Sequence, residues 1–278
     1  MPGNKTLGLV AGGGQFPFLV AGEARNLGYD VVAVAFNKDT DIEIDQHVSR
    51  TEWIKLGQLG KLIKFFKENN VDQVVFAGPI NKPGAFDIRP DIRALKLLFS
   101  LRSRNDNSLL TTVAGELESE GLEVVSALKF VPGLVSPAGR ISKRQPSETE
   151  KNDILFGWPL LKKIGAMDIG QCLMVKERVV VAVEAIEGTD QTILRAGNLI
   201  KKDFTVIKTF KPGQDDRIDL PAMGLKTIET MVQAKASCLA YEAGKSLFFD
   251  LNEAIELARK NKISIIGIDP EKPIENQF

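Results

Sequence analysis

The sequence predicts an α/β protein in two parts: an N-terminal Rossmann-like, mostly parallel sheet with helices on both faces, and a mixed α/β C-terminal domain. Three observations predict it. Strand and helix patterns alternate through the first half, a stretch rich in proline and glycine interrupts them, and a hairpin pattern opens the second half. At 278 residues the chain is long enough for two ordinary cores.

Residues 7–11 read as a buried strand, 16–27 as a helix, 31–36 as a second strand and 59–69 as a second helix, because short apolar runs alternate with segments of helical spacing. A further strand at 74–77 ends at Gly78 and Pro79. Pro90 marks a helix start, and Ile92, Leu95, Leu98 and Phe99 share one helical face through Leu101. Residues 108–120 continue as helix up to Gly121, and 123–127 return to strand. The pattern then lapses into Pro132, Gly133, Pro137, Gly139 and Pro146, which predicts domains at 1–132 and 151–278 joined by a linker at 133–150. The second half begins with a helix at 153–164 and a hairpin whose strands, 172–175 and 179–185, flank Lys176, Glu177 and Arg178. Helix at 192–200, strand at 204–208, helix at 227–235, strands at 238–241 and 247–249, helix at 252–260 and strand at 263–267 complete it.

Lys plus Arg number 36 and Asp plus Glu number 36, so no net charge draws the chain to nucleic acid. One histidine, His47, and two cysteines, Cys172 and Cys238, exclude a Cys/His zinc site and a multi-histidine di-metal centre. So few cysteines suit a reducing cytoplasm. The uncharged run at 6–22 contains Gly12, Gly13, Gly14 and Pro17, which break it into strand, turn and helix, unlike a signal-peptide core. No other stretch approaches the roughly 20 apolar residues of a membrane span. A cytoplasmic location is expected, compatible with contact at a membrane surface and with a homodimer.

Between the first strand and first helix, Gly12, Gly13, Gly14 and Gln15 form a loop where backbone can approach a phosphate at a helix N-terminus. Pro17 stands where the dinucleotide fingerprint needs its third glycine, and the second strand ends in Phe36 and Asn37 without an adjacent acid. Pro79, Lys82 and Asp106 fall on loops sharing that sheet edge; Asp106 serves equally well as a helix cap. Two loops of the second half concentrate acids: Glu184, Glu187 and Asp190 in the first, Asp215, Asp216 and Asp219 in the second. Individually such acids are turn formers or caps, as Thr189 or Asp190 would be. Together they offer hard oxygen donors for Mg2+, with Lys211 and Arg217 as phosphate clamps.

The loop LGLVAGGGQFP, the stretch GPINKPGAFDIRPDIRALKLL, the segment NDNSLLTTVAGELESEGLEVV, the run GAMDIGQCLMVKERVVVAVEAIEGTD and the segment KTFKPGQDDRIDLPAMGLKTIE occur in this order. Together they resemble the UDP-2,3-diacylglucosamine pyrophosphatase family of the lipid A pathway that is unrelated to the calcineurin-like phosphoesterases. The resemblance spans nearly the whole chain, with VEAIEGTD and KPGQDDRIDLP its most specific parts. It implies Mg-dependent hydrolysis of UDP-2,3-diacylglucosamine to UMP and 2,3-diacylglucosamine 1-phosphate (lipid X), with water attacking the phosphorus on the sugar side. It also implies roles. Asp219, Asp190 and Arg217 are the catalytic candidates, and Asp219, Asp190, Glu187 and Asp216 the metal candidates. Gly12 to Gly14, Gln15, Pro79, Lys82, Asp106, Gln171, Thr189, Lys211 and Gln214 would contact substrate. Phe16, Phe18, Trp158 and Leu160 are apolar enough to meet acyl chains but suit a core better. The alternatives from the residues themselves are a nicotinamide-dependent oxidoreductase with a degenerate fingerprint and a non-catalytic nucleotide-sugar sensor.

Overall fold

The computed structural model describes residues 5–80, 90–100 and 106–278, without the side chains of residues 100 and 106–108. The chain divides into two compact units: Met1–Pro132 with Asp215–Asp219, and Gly133–Gln214 with Leu220–Phe278.

The first unit contains strands β1 (Thr6–Ala11), β2 (Asp30–Phe36), β3 (Arg50–Ile54), β4 (Val71–Ala77) and β5 (Glu123–Val124), and helices α1 (Phe16–Asn26), α2 (Leu59–Glu68), α3 (Ile92–Ser100) and α4 (Asp106–Ser119). Its strands are parallel throughout, in the order β3-β2-β1-β4-β5. Leu9 lies beside Ala33 of β2 and Val75 of β4, and all three are buried, as the continuous apolar runs of a doubly covered parallel sheet require. Phe16, Val20, Ala21 and Ala24 give α1 its buried stripe, and Leu59, Leu62, Ile63 and Phe66 give α2 its own. Val32, Val34 and Phe36, alternate residues of β2, share a core with α2 and with Ala94, Ala114 and Leu117. Strand β3 was not expected. Its sequence RTEWI carries two charges, which an edge strand tolerates and an apolar-run criterion overlooks.

The stretch expected as a linker is structured within the second unit. There β6 (Gly139–Arg140) pairs antiparallel with β13 (Ser264–Ile268). Ser142 accepts the amide of Ile265 at 2.8 Å, and Arg144 donates to the Lys262 carbonyl at 2.6 Å and to Glu150. Helix α5 (Glu148–Ala166) starts earlier than its apolar pattern suggests, because Ser147 and Glu150 form a capping box. The remaining strands are β7 (Cys172–Lys176), β8 (Val179–Val183), β9 (Thr205–Lys208), β10 (Ala222–Gly224), β11 (Cys238–Glu242) and β12 (Leu247–Phe249). Helices α6 (Thr189–Ile200), α7 (Leu225–Ala234) and α8 (Leu251–Lys260) complete the unit.

A six-stranded mixed sheet runs β6-β13-β11-β9-β7-β8, in which β9, β11 and β13 are parallel and β7 and β8 form the expected hairpin. Leu239 and Tyr241 face Ile193, Ile228, Met231 and Ala254 of α6 to α8, whereas Cys238 and Ala240 face Ile154 of α5. Trp158 and Leu160 pack against Leu161, Leu173 and Ile207 and belong to that core.

The acidic segment Asp215–Asp219 belongs to the first unit, not to the C-terminal domain as its sequence position suggests. Ile218 is 9% exposed and sits in the first unit's core with Leu117 and Val124. Arg217 donates to Glu118 at 2.7 Å and to the Val124 carbonyl at 3.4 Å, and Ser126 donates to the Asp216 carbonyl at 3.2 Å. One buried isoleucine and a forked guanidinium therefore assign this segment.

Candidate functional site

In the first unit, the loops following β1, β2, β3 and β4 share the carboxyl edge of the parallel sheet, where ligands of such sheets gather. Gly12 lies so close to the loop after β4 that an added Cβ would meet the Gly78 carbonyl at 2.3 Å. Its amide donates to Ala77 at 2.8 Å and that of Gly13 to Pro79 at 2.7 Å. Gly12 and Gly13 thus spend their amides on the neighbouring strand and loop, and the predicted phosphate loop is in this respect a backbone junction. Gly14 takes φ +75°, where a side chain would be strained, and Gln15 caps α1 without a side-chain hydrogen bond. Thr40 bridges the loops by donating to the Ala11 carbonyl and accepting the Phe36 amide. Phe16 is buried, and Phe18 stacks edge-on against His47 with ring centroids 5.0 Å apart. Asp106 begins α4, but its side chain and all of Lys82 lie outside the described residues.

Beneath this edge lies an apolar cavity of about 170 Å3 lined from the sheet and from α2, α3 and α4, with Phe36, Ile54, Leu62, Ala94, Leu97 and Val113 among its walls. Also in the first unit, Asp215 accepts from both Nε and Nη2 of Arg217, the latter at 2.6 Å. This ion pair holds the Asp215 carboxyl below its ordinary range and raises the Arg217 guanidinium. Asp219 follows in the same turn, its amide donating to the Asp215 carbonyl at 3.2 Å, and it is partly exposed.

In the second unit a set of polar groups gathers at the carboxyl ends of β9 and β11 and the start of α6. Cys172 pairs with Lys208, and the Glu184 amide donates to the Cys172 carbonyl at 2.9 Å, so Gln171, Glu184 and Lys208 come to one edge. Glu184, 7% exposed, accepts the Thr189 hydroxyl at 2.8 Å and the Gln171 amide at 3.1 Å. Lys208, 5% exposed, donates to the Ala222 carbonyl at 2.6 Å and to Thr189 at 3.2 Å. The Thr209 amide donates to the Gln171 carbonyl at 3.0 Å. Two buried atoms of this set, Gln171 Oε1 and Thr209 Oγ1, have no hydrogen-bond partner. Buried polar atoms left unpaired are costly and uncommon. Beside it, Glu242 at the end of β11 accepts from Lys162 and, at 2.8 Å, from the Phe210 amide.

Other predicted residues of this unit surround that set. Asp190 lies in the first turn of α6, 3.7 Å from Lys226. Glu187 accepts the Ala185 amide at 3.2 Å and Arg195 at 2.6 Å; its own backbone amide and then Arg195 hold its carboxyl below the usual range. Lys211 pairs with Asp168 at 2.8 Å, and the buried Gln214 accepts the Lys211 amide at 3.4 Å. Sequence reasoning passed over Lys208, Thr209, Lys162 and Glu242. A lysine closing the apolar strand TVIK at a sheet's carboxyl edge is the signal that could have found the first.

The oxygen donors are of a kind that suits Mg2+: carboxylates. Among the described residues no group of three or more His, Cys, Asp or Glu could hold a metal ion on its own. Asp216 and Asp219 lie in the first unit and Glu187 and Asp190 in the second; magnesium takes only a small protein share when a phosphate supplies the rest.

Models of the LpxI N-terminal and C-terminal domains match residues 6–134 and 137–266. The UDP-2,3-diacylglucosamine pyrophosphatase LpxI of Caulobacter vibrioides is 32% identical over 96% of this chain and 99% of its own length. Among solved structures, CobK precorrin-6A reductase gives a TM-score of 0.36 at 11% identity, covering 96% of this chain and 87% of that one. The N5-carboxyaminoimidazole synthetase of Staphylococcus aureus with ADP gives 0.25 at 15% identity, covering 61% of this chain and 37% of the synthetase. Likeness at that level bears on neither activity nor ligand.

Proposed function

This chain belongs to the LpxI family, and from that premise we propose that it hydrolyses the pyrophosphate bond of UDP-2,3-diacylglucosamine to UMP and 2,3-diacylglucosamine 1-phosphate, in lipid A biosynthesis. The observation that carries the proposal is the end-to-end match to a relative bearing that activity in its name, 32% identical over 99% of that relative. The acyl chains of such a substrate keep it at a bilayer surface, so peripheral contact with the cytoplasmic face of the inner membrane is part of the proposal. Among the described residues no helix is long and apolar enough to cross a membrane.

In this reading, the oxygen of a water bonds to the phosphorus on the sugar side. The bond from that phosphorus to the bridging oxygen breaks, and UMP leaves with its electron pair. Asp219 receives the water's proton. Thr209 Oγ1 and Gln171 Oε1 gain in the substrate the polar partners that they lack in the protein. The buried Lys208 ammonium contributes fixed positive charge where a phosphate would bring negative charge. Asp219 and Asp216, both of the first unit, would hold a magnesium ion. When bound, such an ion neutralises charge on the diphosphate and lowers the pKa of a water. Arg217 acts through position: locked between Asp215 and Glu118, it fixes the turn that presents Asp219.

The test is incubation of the purified chain with UDP-2,3-diacylglucosamine, with and without magnesium, followed by identification of products by mass. Magnesium-dependent appearance of UMP and the sugar 1-phosphate is expected; intact substrate in both arms refutes the reading.

A further inference from the structure

We propose that the apolar cavity of the first unit seats part of one fatty acyl chain of the substrate, a step that rests on the reading of the substrate as a diacylated UDP-sugar. The cavity lies under the carboxyl edge of the parallel sheet: Phe36 and Ile54 are the last residues of β2 and β3, and Val10 and Phe76 stand one short of the ends of β1 and β4. That is the ligand edge of such a sheet. Its far wall is helical, with Leu62 of α2, Ala94 and Leu97 of α3, and Leu110 and Val113 of α4.

The lining admits only an apolar guest. Among the described residues Gln58 is the one lining residue with a polar side chain, and its Oε1 accepts the Lys55 amide at 2.8 Å. A cavity of about 170 Å3 is far larger than the voids well-packed cores retain. An engineered cavity of about 150 Å3 with similar walls stays dry and takes benzene, so room for on the order of six carbons is present here. Asp91 accepts the Ala94 amide at 2.8 Å with one oxygen and the Gly60 amide at 2.7 Å with the other, which ties the start of α3 to the start of α2. The outer side of helix α3 carries Lys96 and two large apolar residues, Ile92 at 75% and Phe99 at 86% exposure. An acyl chain accounts for a helix that shows hydrocarbon both to the cavity and to its surroundings, because a chain longer than six carbons must continue beyond the cavity.

The test uses the full chain and UDP-2,3-diacylglucosamines carrying acyl chains of about 4, 10 and 14 carbons. Each buried methylene is worth about fourfold in affinity, so KM should fall steeply from the shortest to the middle chain and then level off. Ala94→Leu and Val113→Phe fill the cavity and should remove roughly 10- to 100-fold of that gain, read as the ratio of KM between the shortest and the middle chain. Their melting temperatures report folding, and two fillers from different helices guard against one that fails. In parallel, fluorescence titration with cis-parinaric acid reads binding without turnover. Unchanged chain-length profiles in folded variants overturn the seat and leave the pyrophosphatase reading standing. Parinaric acid binding that both variants abolish, in a protein that turns over none of the UDP-sugars, overturns the assignment to substrate and makes the cavity a site for free fatty acid.

Discussion

Lys208, the last residue of β9, holds its ammonium 3.2 Å from the hydroxyl of Thr189, the first residue of α6, and Glu184 accepts that hydroxyl's proton at 2.8 Å. A buried cation and a buried carboxylate thus meet through one hydroxyl. Lys208→Met keeps the stem and removes the charge, leaving the Ala222 carbonyl and Thr189 short of a donor. A loss of about 1–3 kcal/mol is expected, seen as a fall in melting temperature, with KM for the UDP-sugar raised. A rise in neither KM nor instability contradicts a role for this ammonium.

Thr209→Val separates binding from stability. The Thr209 hydroxyl is buried without a partner, so valine should leave the melting temperature unchanged or higher. If the hydroxyl serves the substrate, KM rises roughly 5- to 30-fold, the worth of one hydrogen bond of about 1–2 kcal/mol. Unchanged steady-state kinetics would return Thr209 to a purely structural place.

Asp219→Ala should fold, because the buried Ile218 and the Arg217 to Asp215 clamp that hold the segment are untouched. Its kcat for UMP release should fall by roughly 10²- to 10⁴-fold. Retained turnover in a folded variant removes Asp219 from the chemistry.

Glu120 gives a pH test of the first unit. Hydrogen bonds from Arg93 and then Lys67 pull its carboxyl from 4.5 to about 2. A depressed folded-state pKa stabilises fully above the unfolded value and is lost as pH falls towards the folded one. The melting-temperature gap between wild type and Glu120→Gln should therefore be widest above about pH 5 and narrow towards about pH 2. A gap that does not change with pH contradicts the ion-pair origin.

Much of this architecture was legible because β1, β2 and β9 are short apolar runs and α1 and α2 carry clear helical stripes. What escaped has physical reasons. Strand β3 is an edge strand whose charges hide its period, and α5 announces its start by the Ser147 and Glu150 box, not by hydrophobic spacing. The assignment of Asp215–Asp219 to the first unit depends on Ile218 finding a core formed some ninety residues earlier, a long-range fact. At the site, the motif residues Gln171 and Thr189 fall into one polar set, but Lys208 and Thr209 enter it only through the register of β7 with β9. The glycine loop invited a phosphate reading, whereas the amides of Gly12 and Gly13 bond to Ala77 and Pro79.

The central claim is that water cleaves a diphosphate bridge, and reaction in 18O-labelled water tests it most directly. The account predicts one labelled oxygen in 2,3-diacylglucosamine 1-phosphate and none in UMP. Release of UDP with the label on the sugar would mean that the carbon–oxygen bond is cut instead, and would contradict it.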